Sequence, residues 1–195
     1  MELSLALIPQ IAQGLSLAAC AGMRAFLPVL VVGIAGRLDW IPLTSYFDWM
    51  ASTPALTIFS VAVVAELLAD KFPVVDNLLD GLQVFVKPVA GTVLMASSLT
   101  ELPPEVTAVM AIVMGGSVAG MVHLGKTKTR LISTVATAGI ANPFVSAAED
   151  GVSLVGSILA IVWPILMFVA LLFAGSGFIY LWRYRRARPG DTVQP

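Results

Sequence analysis

From Leu131 to Leu181 the chain carries no lysine or arginine, and within Phe144–Trp182 the only charged side chains are Glu149 and Asp150. A hydrocarbon core is crossed by roughly 20 helical residues. Phe144–Trp182 is therefore too long for one straight crossing at about 1.5 Å per residue. Pro164 stands where a kink or break is expected. An acid held at membrane depth costs at least about 2.5 kcal/mol and is usually functional or paired. Glu149-Asp150 is thus the most informative pair in the sequence. Asn142, Ser146 and Ser153 add polar atoms around it, with Ser146, Glu149, Asp150 and Ser153 on roughly one helix side.

The rest of the chain is of the same kind. It is 58% hydrophobic and 12% charged, with mean hydropathy +0.92. A soluble domain carries roughly 25% charged residues, so there is too little polar surface to cover a globule in water. The expected fold is an all-α polytopic integral membrane bundle with short or broken helices. One histidine and one cysteine cannot build a zinc or copper cage or an internal disulfide. No cofactor and no nucleic-acid partner is expected. "LAAC" at Leu17–Cys20 echoes a lipoprotein cleavage site, but no basic residue precedes it. Cys20 therefore reads as a small buried residue of the first helix.

The other apolar segments are Leu3–Ala21, continuing after "AGMR" through Ala35, then Pro54–Ala69, Pro88–Leu99, Val106–Leu124 and Leu131–Ala141. Six crossings with both ends cytoplasmic place Lys71, Lys87, Lys126, Lys128, Arg130 and the basic residues after Trp182 inside. Only Arg37 falls outside, and Arg24 stays within the membrane. If Gly22–Arg24 is a tight turn rather than a kink, the count changes by one and the N-terminus moves outside. Trp40, Tyr46, Phe47 and Trp49 read as an interfacial aromatic belt. Residues 1–185 form one transmembrane domain, and 186–195 read as a disordered cytoplasmic tail. The expected location is the bacterial inner membrane.

A weak repeat lays "RAFLPVLVVGIAG" over "RLISTVATAGIAN", matching Arg24 to Arg130. It suggests two short helices, each with an arginine at its N-terminus, where backbone N–H groups already favour anions. The alternative is that each arginine pairs with a carboxylate, or that Arg130 lies in a loop.

"AELLADKFPVVDNLLDGLQVFVKP" gathers the remaining charges. Glu66 and Asp70 share a helix face, with Lys71 beside them. Beyond Pro73, the residues Asp76, Asp80, Gln83 and Lys87 form one polar stripe. Leu78, Leu79, Leu82 and Phe85 take other faces, so Val74–Lys87 reads as an amphipathic helix ended by Pro88. It could lie on the membrane surface, form a loop helix, or turn its acids into the bundle. His123 reads as an interface or packing residue.

"GMRAFLP", "AELLADKFPVVDNLLDGLQVFVKPVAG", "GKTKTR" and "NPFVSAAED", in this order, resemble a family known as domain of unknown function 4126, over Leu15 to about Arg185. The resemblance implies a small multi-pass membrane protein and no particular activity.

The expected function is that of a small transporter or channel-like protein, a homo-oligomer among membrane lipids. Its polar site for a proton, hard cation or small ion is drawn from Arg24, Glu66, Asp70, Lys71, Asp76, Asp80, Lys87, Arg130, Asn142, Ser146, Glu149 and Asp150. The alternative is a non-transporting module that binds anionic lipid or assists a partner's assembly. An enzyme acting on lipid phosphate is least favoured, because no histidine cluster is present.

Overall fold

The computed structural model describes residues 2–69, 73–137 and 140–186, with the side chains of 2–5, 73–80, 142, 143 and part of the last helix left aside. The described residues form helices and no strands. Seven helices follow one another: α1 Glu2–Met23, α2 Phe26–Arg37, α3 Thr53–Ala69, α4 Pro73–Ser98, α5 Pro104–Thr137, α6 Asn142–Val162 and α7 Pro164–Arg186. A short 3-10 turn, Asp48–Ala51, precedes α3. A π-helical segment, Ala111–Gly116, lies inside α5.

Three of these helices are long and apolar enough to cross a membrane, in α1, α5 and α6. The α1 window is 50% buried, against 22% for the other two. That difference makes α1 the central rod, and it packs on α4, α5, α6 and α7. Leu17, Cys20 and Ala21 of α1 join Ala90 and Leu94 of α4 and Ala160 and Met167 of α6 and α7 in the core. The outer faces are apolar. Val61 and Val64 of α3, Val109 and Ile112 of α5, and Leu172 and Phe173 of α7 are all exposed. Apolar surface this extensive is a lipid-facing surface, since soluble monomers rarely carry such patches.

The segmentation differs from the sequence expectation in three places. Leu3–Ala35 is not one broken rod but a hairpin. Ser153 Oγ donates to Cys20 O at 3.2 Å, and Arg24 reaches Ser146 at 2.7 Å. Along α1, then, higher numbers meet lower numbers of α6. Along α2 the order reverses, and Val31, Ile34 and Ala35 share a cleft with Leu154, Ile158 and Val162. The tight-turn alternative at Gly22–Arg24 is the one adopted. Gln10 near the start of α1 bonds Thr100, through Nε2 to Oγ1 at 2.9 Å and from Thr100 N–H at 3.0 Å. This fixes the first part of α1 at the same end of the bundle as the α4–α5 loop.

Second, Val74–Lys87 and Pro88–Leu99 are one helix, because Pro88 is tolerated inside α4. A proline removes one ladder bond, which tertiary packing can offset. Third, the expected loop at 125–130 is helical, and the segments 106–124 and 131–137 run on as α5. As expected, Phe144–Trp182 breaks at Pro164, which opens α7, as a first-turn proline should. The Met167 methyl comes against Gly156, so α7 folds back along α6. The expected tail lies outside the described residues apart from Arg186, which ends α7.

Candidate functional site: the tip of the α1–α2 hairpin

A helix that ends inside a bundle leaves unpaired carbonyls at its C-terminus and unpaired N–H groups at the next N-terminus. At membrane depth these must be met by protein. The α1–α2 tip meets them with charge. Lys126 Nζ donates to the carbonyl of Met23 at 3.1 Å. Glu66 accepts from the N–H of Ala25 at 2.9 Å and of Phe26 at 3.3 Å. Each charge has the sign that its helix end favours: a cation on carbonyls and an anion on N–H groups.

Arg24 sits between the two helices and is 0% exposed. Its Nε pairs with Asp150 Oδ1, and its Nη2 donates to Ser146 Oγ at 2.7 Å. Glu149, the residue before Asp150, turns to α5. Its Oε2 lies 2.9 Å from Lys126 Nζ and 3.4 Å from Arg130 Nη2. The adjacent acids of α6 thus divide their work. Asp150 holds the hairpin tip, and Glu149 holds α5. Asp150 is eight residues into α6, about 12 Å along its axis, so the cluster lies well inside the bundle.

A second buried pair joins α4 to α5. Lys87 Nζ and His123 Nδ1 are 3.1 Å apart, with Lys87 at 0% and His123 at 3% exposure. Gln83, one turn before Lys87, is also buried, whereas Leu82, Val84 and Phe85 face outward. The described part of the polar stripe, Gln83 and Lys87, points into the bundle, while its acids, Asp76 and Asp80, lie outside the described side chains.

A family model described as "Domain of unknown function (DUF4126)" matches residues 11–184. The chain belongs to this family. No curated protein and no solved structure matches it.

Of the expected site residues, this DUF4126 chain brings Arg24, Glu66, Arg130, Ser146, Glu149 and Asp150 together around the hairpin tip. Lys87 is buried in the neighbouring pair. Asp76, Asp80 and Asn142 lie on α4 and α6, but their side chains are outside the described set, and Asp70 and Lys71 lie outside the described residues altogether. Among the described residues no group of three or more His, Cys, Asp or Glu could hold a metal ion. Arg130 is neither in a loop nor at a helix N-terminus. It is in the last third of α5, so the second half-helix of the expected repeat is not formed. What the repeated arginines share instead is a pair of neighbouring acids, Asp150 for Arg24 and Glu149 for Arg130.

Lys126 and His123 were missed as site residues. "GKTKTR" resembles a polar loop, yet His123, Lys126 and Arg130 stand at i, i+3 and i+7, one face of one helix. That spacing was the available signal.

The cap on α2 has a measurable consequence. Glu66→Ala leaves two N–H groups facing a buried gap, and is expected to cost about 1.5–3 kcal/mol, the range for hydrogen bonds to a charged group. Glu66→Gln keeps an acceptor oxygen and is expected to lose about half of that. Denaturant unfolding of the purified chain in detergent measures both. Equal stability of all three proteins would show that Glu66 is not the cap.

Proposed function

We propose that this chain is a small channel-like or carrier-type membrane protein that moves a proton or another small ion through the polar cluster at the α1–α2 tip. The observation that carries the proposal is a broken helix pair inside an apolar-faced bundle, with Arg24, Lys126, Arg130, Glu66, Glu149 and Asp150 converging on the break. Helices interrupted at depth and ionisable residues within a bundle are recurrent features of ion pathways. Each carboxylate of the cluster already faces a protein cation or N–H group. That favours exchange of protons and partners over a cage for a hard cation, which needs six or more oxygens.

The charge distribution supports an orientation. Lys126, Lys128 and Arg130 lie toward the hairpin-tip end, as does the basic end of α7, while Arg37 lies at the other. By the positive-inside rule the tip end is cytoplasmic in a bacterial plasma membrane. The C-terminus is then inside, and the start of α1 outside. A homo-oligomer surrounded by lipid remains part of this reading, since one small bundle leaves little room for a pathway.

The second reading, a non-transporting module that binds anionic lipid or assists a partner, is favoured by the same mutual pairing of charges. Such pairing can serve packing alone. Ion flux separates the two. Proteoliposomes with the full chain are expected to pass protons, sodium or potassium above empty vesicles, and Glu149→Gln is expected to lower that flux at least tenfold. Wild-type flux equal to that of empty vesicles for all three ions would sink the transport reading.

A further inference from the structure

The cluster at the hairpin tip leaves one buried pair without a structural task as plain as a helix cap. Lys87 and His123 face each other across α4 and α5, 3.1 Å from Nζ to Nδ1. Two cations cannot share that contact, because their repulsion is large and little water screens it. Two neutral groups have only an ordinary N–H···N bond between them, whereas one added proton makes it a charge-assisted bond, roughly twice as strong. One proton between them satisfies both: an ammonium N–H donates to the Nδ1 lone pair, which places the imidazole hydrogen on Nε2.

We propose that Lys87 and His123 together form a proton-binding site, holding one shared proton between Nζ and Nδ1 and passing it between α4 and α5. The step is balanced. The Nζ–H bond breaks as the Nδ1–H bond forms, a neutral amine and an imidazolium replace an ammonium and a neutral imidazole, and the net charge stays at one. This names the proton as the ion of the function proposed above, and its role in flux rests on that reading.

The surroundings suit such a site. Pro88 follows Lys87 and has no N–H to give the ladder of α4, and Thr92 Oγ1 donates to the Pro88 carbonyl at 2.9 Å. The π segment of α5 packs on this same helix, and π turns recur where helices carry function. The charged groups on the elements around the pair include Glu105, Lys126, Lys128 and Arg130 on α5, Arg24 at the end of α1, Arg37 on α2, Glu66 on α3, and Glu149 and Asp150 on α6. Asp76 and Asp80 belong to α4 itself. Lys87 and His123 each make a further interaction besides the one between them. His123, Lys126 and Arg130 continue along one face of α5 toward Glu149.

His123 is the single histidine of the chain, so one nitrogen-15 NMR spectrum of the full protein in nanodiscs reports on it alone. The expected spectrum at neutral pH has Nδ1 hydrogen-bonded to the shared proton and Nε2 protonated. In Lys87→Met, which keeps an apolar stem, the Nδ1 signal is expected to move to that of an ordinary imidazole. Proton flux into proteoliposomes is expected to fall at least tenfold in Lys87→Met and in His123→Gln. An Nδ1 signal unchanged by Lys87→Met overturns the proposal, and it does so on a folded protein whatever the flux. Wild-type vesicles that pass sodium or potassium but not protons overturn it while leaving the transport reading standing. Wild-type vesicles that pass nothing remove the transport reading, and the NMR arm alone then decides whether the pair holds a shared proton.

Discussion

Asp150→Ala is expected to destabilise the bundle by about 3 kcal/mol, and Arg24→Met by only about 1–2 kcal/mol, although both break the same ion pair. Breaking a buried pair by removing one partner costs about 3–5 kcal/mol when the charge left behind stays buried. Arg24 is 0% exposed, so the loss of Asp150 leaves its cation in place with less compensation. Ser146 and its remaining interactions keep the cost at the lower end of the range. The Asp150 side chain is 32% exposed, so after loss of Arg24 it can turn outward. Methionine meanwhile fills the apolar volume of the arginine stem. Unfolding midpoints of the two variants in the same detergent test the order. A larger loss for Arg24→Met would mean that the arginine, and not the carboxylate, supplies the net stabilisation.

Gly115→Val is expected to be at least as damaging, at about 3 kcal/mol, for a reason unrelated to charge. A Cβ on Gly115 would stand 2.5 Å from the carbonyl oxygen of Gly91, and a Cβ on Gly91 would stand 2.6 Å from that of Gly115. The obstacle on each side is backbone, so no side chain can turn away, and α4 and α5 must separate. Overpacking of this kind costs about 1–3 kcal/mol or more. It would also part the helices that hold Lys87 against His123. Gly125→Ala, on the same helix α5, meets nothing within 4 Å, and should be neutral or stabilising by up to about 1 kcal/mol. Thermal unfolding of the two variants side by side distinguishes a packing effect from a general cost of replacing helical glycines. Small residues at helix contacts are how membrane bundles bring backbones together, and Gly115 lies within the π segment itself.

The candidate site was legible where charge was out of place. Glu149-Asp150 stood out because an apolar run with no basic residue nearby cannot hold two acids without partners from elsewhere in the chain. Arg24 stood out for the mirror-image reason. Their pairing follows from the small number of opposite charges available at that depth. Lys126 and His123 were not legible as site residues, because local composition around "GKTKT" resembles a loop. Only packing against α1 and α6 makes it a helix with an inward basic face.

The boundaries divide in the same way. Pro164 ended a helix as its missing N–H requires, but Pro88 did not end α4. Nothing local separates those cases. Pro88 lies in a helix pressed against α1 and α5, and those contacts outweigh one lost ladder bond. By itself the sequence determined the solvent of this protein, its helical class and its costly charges, since each depends only on how much apolar and ionisable matter the chain carries and at what spacing. Tertiary structure alone decided that "AGMR" is a hairpin tip, that Glu66 and Lys126 cap its two helix ends, and that Lys87 meets His123. Those are contacts between residues tens of positions apart, and each needs a three-dimensional geometry that no local preference encodes.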